Sequence, residues 1–212
     1  MDNKRTEQFP QNIDKILDDL AAHQWAVTPH FFTDDYCRSL AKEFLDLDTQ
    51  NLFHEASIGR KEKKQVESKI RGDRILWLGD FETSHPMIEL DEKLQLIMKN
   101  LNQNFYLSLR HYEAHLAIYP PNSRYEKHID NHKGVNSRQI TFILYLNEHW
   151  TKGDGGELTL FTPEAEVLDE KELVQIAPTF GTFVLFRSEL FPHRVEENLK
   201  QRLSITGWFR TD

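Results

Sequence analysis

His128 and Asp130 stand two residues apart in the run KHIDN. In an extended strand, residues i and i+2 project to the same face, so one imidazole nitrogen and one carboxylate oxygen can approach the same ion. A third ligand from elsewhere in the chain would complete a set of two histidines and one carboxylate. Such a set leaves coordination positions open and suits the chemistry of non-haem Fe(II) oxygenases. Alone, an H-x-D pair is a weak signal. The chain carries ten histidines and 34 acidic residues, and His111 with Glu113 forms a rival H-x-E pair. An isolated match of this kind is most often a surface pair.

The downstream pattern strengthens the signal. His193 follows the run TFVLFRS and precedes RVEEN, and nine positions later Arg202 opens RLSITGWF. In an extended conformation Arg202, Ser204, Thr206 and Trp208 share one face, while Leu203, Ile205 and Phe209 share the other. The second set is what a hydrophobic core expects. The first would put an arginine inside a closed barrel, where a guanidinium is costly unless paired. A dicarboxylate cosubstrate would pair it, because guanidinium grips carboxylate through two parallel hydrogen bonds. The competing reading is a solvent-facing side with Arg202 exposed, and Trp208 on that side speaks against it.

The elements that must position these groups are strands. From about His115 the sequence breaks into the short runs HLAIY, QITFILYL, ELTLF, LVQIA, TFVLF and RLSITGWF, separated by YPPNS, NHKGVNS, KGDGG and APTFG. Several short strands at close spacing predict a sandwich or barrel of the jelly-roll kind. The first half reads as helical. Ile13, Ile16, Leu17 and Leu20 are spaced for a helix over Ile13–His23. Thr33 followed by Asp34 and Asp35 predicts an N-cap for a second helix, running to about Leu47. Leu90, Leu94, Ile97, Met98 and Leu101 form the stripe of a third, from about Met87 to Phe105. The expected fold is mainly β with flanking helices: a double-stranded β-helix (jelly roll, cupin-like) braced by N-terminal helices. A single domain is expected over residues 1–212, with about 1–110 giving helical support and first strands, and about 111–212 the catalytic core. The stretch from Gly59 to Lys69 is highly charged and has no face to bury. A solvated loop is the plain reading, and a mobile lid the functional one.

Composition narrows the partners. The chain has 212 residues and a net charge of -8, a poor match for a phosphate backbone, so no nucleic-acid partner is expected. No stretch approaches the roughly 18 apolar residues of a membrane span, and the first residues carry no apolar signal region. Cys37 is the only cysteine, so no internal disulfide can form. These features lead to the expectation of a soluble cytoplasmic protein.

The ordered motifs YPPNSRYEKHIDN, RQITFILYLNEHW, GGELTLF, APTFGTFVLFRSELFPHRV and QRLSITGWF, with KIRGDRILWLGD upstream, resemble the prolyl-hydroxylase branch of the 2-oxoglutarate oxygenases. The similarity is to the oxygen-sensing type and its bacterial relatives, over roughly residues 70–209. It implies that His128, Asp130 and His193 are iron ligands and that Arg202 grips the distal carboxylate of 2-oxoglutarate. Tyr145 would assist that carboxylate with Thr206 beside it, and Tyr119 would lie near the iron and the cosubstrate. Arg138 and Trp208 would line the substrate mouth. The resemblance further implies Fe(II), 2-oxoglutarate and O2, ascorbate as reductant, and a protein partner bearing the target proline. Asp130 fills the position that halogenating relatives leave free for halide, so hydroxylation is the expected outcome.

Plainer readings stand beside these. Tyr119 and Tyr145 could be core aromatics with satisfied hydroxyls. Thr206 suits a strand, and Gly155–Gly156 suits a turn. Arg71 and Asp73 read as a structural salt bridge at a turn in preference to a substrate contact. Each ligating histidine needs an acceptor for its other ring nitrogen, which the sequence does not identify. The stretch 59–69 is poorly matched, so substrate identity is not carried over. Hydroxylation of a free amino acid or other small molecule remains an alternative, as does a non-catalytic metal-binding jelly roll.

Overall fold

A computed structural model describes residues 3–56, 71–81, 83–131, 137–163 and 171–212. The charged stretch 59–69, read above as loop or lid, lies outside the described residues.

Three helices come from the first half of the chain. α1 (Asn3–His23) buries Ile13, Ile16 and Leu20. It begins well before the predicted Ile13, because its first turns are polar and give no apolar period to read. α2 (Asp34–Thr49) opens as expected. The Thr33 hydroxyl accepts a hydrogen bond from the Tyr36 amide at 3.3 Å, and Asp34 and Asp35 fill the first turn. α3 (His85–Phe105) buries the stripe Met87, Leu90, Leu94, Ile97, Met98 and Leu101. It stops where Tyr106 turns left-handed, at φ 54°.

The strands in chain order are β1 (Trp25–Thr28), β2 (His54–Glu55), β3 (Arg74–Trp77), β4 (His111–Tyr119), β5 (Ser123–His128), β6 (Arg138–Tyr145), β7 (Leu158–Phe161), β8 (Glu172–Ile176), β9 (Phe183–Arg187), β10 (His193–Asn198) and β11 (Arg202–Arg210). They form an antiparallel seven-stranded sheet, β1-β9-β6-β11-β4-β3-β2, and an antiparallel four-stranded sheet, β5-β10-β7-β8. This is the expected jelly roll.

Alternation along the central strands separates two compartments. Leu203, Ile205 and Phe209 of β11, Ile140, Phe142 and Leu144 of β6, and Leu116 and Ile118 of β4 pack with the three helices in the main core. Each such side chain stabilises the fold by about 1.5–3 kcal/mol on burial. Ile143, Tyr145, Val184 and Phe186 face the other way, toward Leu158, Leu160 and Ile176 of the smaller sheet. At Gly207 the neighbouring strands come close. A Cβ there would stand 2.4 Å from Phe142 Cζ, 2.5 Å from the Glu113 carbonyl oxygen and 2.7 Å from Ala114 Cβ. Only glycine lets β11 lie this near its neighbours.

β5 and β10 were not anticipated from apolar patterning. Their sequences, SRYEKH and HRVEEN, are polar and remain partly exposed. They matter because of their register: His193 is paired with His128 across the two strands.

Candidate metal centre

That pairing sets the two imidazoles side by side, with ring centroids 4.3 Å apart. His128 is the last residue of β5, and Asp130 lies just beyond the strand's end, in a bend. The expectation that H-x-D shares one face of a strand is therefore corrected. The chain turns after His128, and the turn carries the Asp130 carboxylate inward until the side chain is 6% exposed. Its Oδ1 is 3.5 Å from His128 Nε2 and its Oδ2 is 3.6 Å from His193 Nε2. One ligand atom from each of the three residues lies within 4.8 Å of the others, and no other such group occurs among the described residues.

The backbone orients both rings. His128 Nδ1 lies 2.9 Å from the Glu126 carbonyl oxygen, and His193 Nδ1 lies 3.1 Å from that of Phe191. A carbonyl can only accept, so each Nδ1 carries a proton and donates, which in the neutral ring leaves the lone pair on Nε2, aimed toward Asp130. These are the acceptors the sequence did not identify. Tyr125 stacks on His128 at 3.8 Å, and Phe186 meets His193 edge-on at 4.9 Å.

Charge follows the same plan. Burial, then the neighbouring His128, push the His193 imidazole down to about 4, so it is neutral and ready to coordinate. Burial would raise Asp130, but charge on the facing His193 and His128 imidazoles opposes it and outweighs it, so the carboxyl falls well below its usual range whenever a ring is protonated. The Thr141 hydroxyl donates to Asp130 Oδ2 at 2.8 Å and contacts Ser188 Oγ at 2.9 Å. Two neutral nitrogens and one carboxylate oxygen on one side of a buried space fit Fe(II) with open positions opposite. The rival pair is spent elsewhere. Glu113 binds Arg138 and Arg210, each at 2.7 Å, and His111 Nε2 is 3.7 Å from Asp212.

Further in on the same face, Arg202 is 1% exposed. Its Nε donates to the Gly156 carbonyl oxygen at 3.0 Å, and its Nη1 lies 3.4 Å from Ser204 Oγ. The guanidinium sits 4.9 Å from the ring centres of both Tyr119 and Tyr145. Among the described residues no carboxylate forms an ion pair with it. Tyr145 is fully buried, and its hydroxyl has no hydrogen-bond partner. A buried cation without an anion, beside a hydroxyl without an acceptor, is the complement of a carboxylate ligand. Tyr145 is thus not the satisfied core aromatic of the plain reading.

Gly155 and Gly156 do more than turn the chain. The Gly156 carbonyl holds Arg202, and Trp150 Nε1 donates to the Gly155 carbonyl at 3.0 Å. With φ +70°, Gly156 keeps the backbone close to the arginine, and a Cβ there would stand 3.1 Å from Arg202 Cδ. Thr206 lies on the same face, its hydroxyl 3.5 Å from that of Ser204.

Arg138 stacks 3.7 Å over the Trp208 ring, and Trp208 is 6% exposed, so the two form an inner wall with Arg138 toward the outside. Arg71 and Asp73 form the expected salt bridge, at 2.6 and 2.8 Å. Arg71 also lies 4.7 Å over the Tyr125 ring, the one stacked on His128, so the bridge supports the triad at one remove. Sequence reasoning missed Thr141 and Tyr125. Thr141 left a trace, as a polar residue on the inner face of a strand that continues inward with Ile143 and Tyr145. Tyr125 left none.

Residues 114–210 match the 2OG-Fe(II) oxygenase superfamily. A prolyl-4-hydroxylase from Pseudomonas putida has the same fold with a TM-score of 0.82. It is 33% identical, over 93% of this chain and 98% of that one. A Trichoplax adhaerens prolyl hydroxylase, solved with a peptide of the hypoxia inducible factor oxygen degradation domain, superposes with a TM-score of 0.84 at 23% identity, covering 100% of this chain and 94% of that one. The hypoxia-inducible factor prolyl hydroxylase of Caenorhabditis elegans is 31% identical over 92% of this chain. The prolyl 3-hydroxylase OGFOD1 of Xenopus laevis is 26% identical over 91% of it. The chain spans 27% and 36% of the length of these last two proteins.

Proposed function

This chain belongs to the 2OG-Fe(II) oxygenase superfamily, with prolyl hydroxylases among its relatives, and on that premise we propose that it hydroxylates a prolyl residue in a peptide or protein. The observation that carries the proposal is the shared inner face. It places a buried, unpaired arginine and a partnerless tyrosine hydroxyl beside two histidines and a carboxylate.

In this reading His128 Nε2, Asp130 and His193 Nε2 hold Fe(II), while Arg202 and Tyr145 take the distal carboxylate of 2-oxoglutarate. Tyr119 and Thr206 line the same pocket. Bound together with O2, the metal and cosubstrate supply an oxidant at the cost of decarboxylating 2-oxoglutarate to succinate and CO2. The protein's own part is positioning. Arg202 and Tyr145 fix one end of the cosubstrate. The Glu126 and Phe191 carbonyls lock the ligand tautomers. Thr141 holds Asp130 in one rotamer through its hydrogen bond. Trp77, Tyr125 and Trp208 line the approach with rings that exclude water. Arg138 and Trp208 border the face from which a peptide would enter.

The peptide substrate rests on relatives that act on prolyl residues, one of them solved with a peptide bound. Ascorbate as reductant and a cytoplasmic location complete the proposal. No helix among the described residues is long and apolar enough to cross a membrane.

The test is oxygen-18 labelling in an extract of the source organism. Purified protein is supplied with Fe(II), ascorbate, 2-oxoglutarate and labelled O2, with His193→Ala as control. Label in a specific prolyl residue, only with the active protein, is the expected result. Labelled succinate without any labelled peptide would move the substrate to a small molecule. No succinate above the control would overturn the proposal.

A further inference from the structure

One buried titratable side chain on the inner face is left unused by the reaction as described. His115 lies on β4, where Leu116 and Ile118 point to the helix-side core while Ala117 and Tyr119 belong to the inner compartment. His115 shares the second orientation and is 2% exposed. It packs against Trp77, with ring centroids 4.9 Å apart, and against Trp208 at 5.6 Å. Its Nδ1 is buried and makes no hydrogen bond. Burial, with the guanidinium groups of Arg71 and Arg138, holds this imidazole well below its ordinary pKa, so the ring is neutral and carries a single N–H. An apolar residue would fill the gap between two tryptophans without desolvating a polar atom. The polar atom therefore implies a partner that arrives with a ligand.

The strand register shows which end of the ligand it would meet. His115 is paired with Thr206, two residues along β11 from Ser204, and Ser204 is the residue the Arg202 guanidinium reaches. The next inward pair is Trp208 with Thr141, and Thr141 binds Asp130. Two residues advance a strand by about 6.7 Å, close to the length of a five-carbon dicarboxylate. A molecule anchored at Arg202 and Tyr145 and extended toward the triad thus has its second carboxylate level with His115 and Thr206.

We propose that His115 binds the cosubstrate directly, its Nδ1–H donating to the carboxylate next to the keto group of 2-oxoglutarate. The inference rests on the proposed function, since it presumes that 2-oxoglutarate enters this pocket. It assigns to His115 the end of the molecule that Arg202 does not hold.

The experiment compares 2-oxoglutarate with 4-oxopentanoate, which keeps the keto group and distal carboxylate but has a methyl in place of the other carboxylate. Binding to the Zn(II)-loaded protein, which cannot turn over, is followed by calorimetry, with the analogue measured by competition. His115→Leu weakens 2-oxoglutarate by about 10- to 100-fold, as expected for a hydrogen bond to a charged group. It leaves 4-oxopentanoate within about twofold and raises the melting temperature of the ligand-free protein, because an unsatisfied buried atom is removed. His115→Asn, whose amide nitrogen falls near the Nδ1 position, restores most of the lost affinity. In the wild-type protein labelled with 15N-histidine, the His115 Nδ1 resonance shifts with 2-oxoglutarate and not with 4-oxopentanoate. Equal losses for both ligands, no loss for 2-oxoglutarate, or an unmoved Nδ1 resonance would overturn the assignment. Failure of the wild-type protein to bind 2-oxoglutarate at all would instead overturn the proposed function, and this inference with it.

Discussion

Arg202→Met tests the cosubstrate pocket most directly, because stability and affinity should move in opposite directions. In the ligand-free protein the guanidinium is buried with one backbone acceptor at 3.0 Å and one marginal hydroxyl contact at 3.4 Å. Replacing a poorly paired buried charge with an apolar side chain of similar length is neutral or gains about 1–4 kcal/mol. Against this stand the two tyrosine ring faces, at about 0.5–1 kcal/mol or more each, and the Gly156 carbonyl, which loses its donor. The balance lies near zero, so the variant should melt within a few degrees of wild type. With 2-oxoglutarate bound as proposed, the arginine would be one half of a buried ion pair, and deleting that half costs about 3–5 kcal/mol, or roughly 100- to 1,000-fold or more in Kd. Differential scanning calorimetry of the Zn(II)-loaded protein reads both effects. At a ligand concentration about 1,000 times the wild-type Kd, 2-oxoglutarate stabilises wild type by about 4 kcal/mol. A variant weakened about 1,000-fold gains only about 0.4 kcal/mol at that concentration. Arg202→Lys should fall between, since a point charge cannot replace the planar fork. The reasoning fails if Arg202→Met loses more than about 3 kcal/mol without ligand, which would make Arg202 a structural residue. It fails equally if ligand stabilisation is unchanged.

Three further outcomes follow from the same structure. His193→Ala and Asp130→Ala should each weaken Mn(II) binding, measured by titration calorimetry, by at least about 100-fold while the fold is kept; wild-type affinity in either would remove that residue from the centre. In the metal-free protein His193 is pushed down to about 4, and unfolding returns it to about 6.5, so between these values the unfolded chain holds more protons and stability rises with pH. About 3 kcal/mol should therefore be lost as pH falls from 7 to 4, visible as a falling urea midpoint; a slope no smaller in His193→Gln would show that another group is responsible. Gly207→Ala would force a Cβ against Phe142 Cζ and the Glu113 carbonyl. It should cost about 1–3 kcal/mol and lower Tm by about 5 °C; an unchanged Tm would mean that β4 and β11 separate freely.

What could be read in advance depended on which groups carry the information. The division of β11 into Leu203, Ile205 and Phe209 on one side and Arg202, Ser204, Thr206 and Trp208 on the other was legible, because alternation is a property of side chains. The stripes of α2 and α3 were legible for the same reason. β5 and β10 were not, since polar residues occupy both their faces and tertiary pairing alone makes them strands. Asp130 was placed on a strand by its spacing from His128, but the chain bends after His128 and reaches a similar convergence by another path. The acceptors for His128 and His193 were invisible because they are backbone carbonyls, which any sequence possesses. Thr141 and His115 were readable in principle as polar residues on inward positions of apolar strands, yet without the second sheet there was no way to tell inside from outside.

Each histidine of the triad is restrained by the carbonyl two residues before it, in Glu126–Lys127–His128 and Phe191–Pro192–His193. The restraint is therefore proof against point mutation: no side-chain replacement deletes a peptide oxygen. Where a ring is held by a distant carboxylate, one substitution far away can let it swing, and the centre drifts as its surroundings evolve. Here the aim of both nitrogens is written in two tripeptides. The walls around them can be rebuilt for another substrate without re-aligning the two rings.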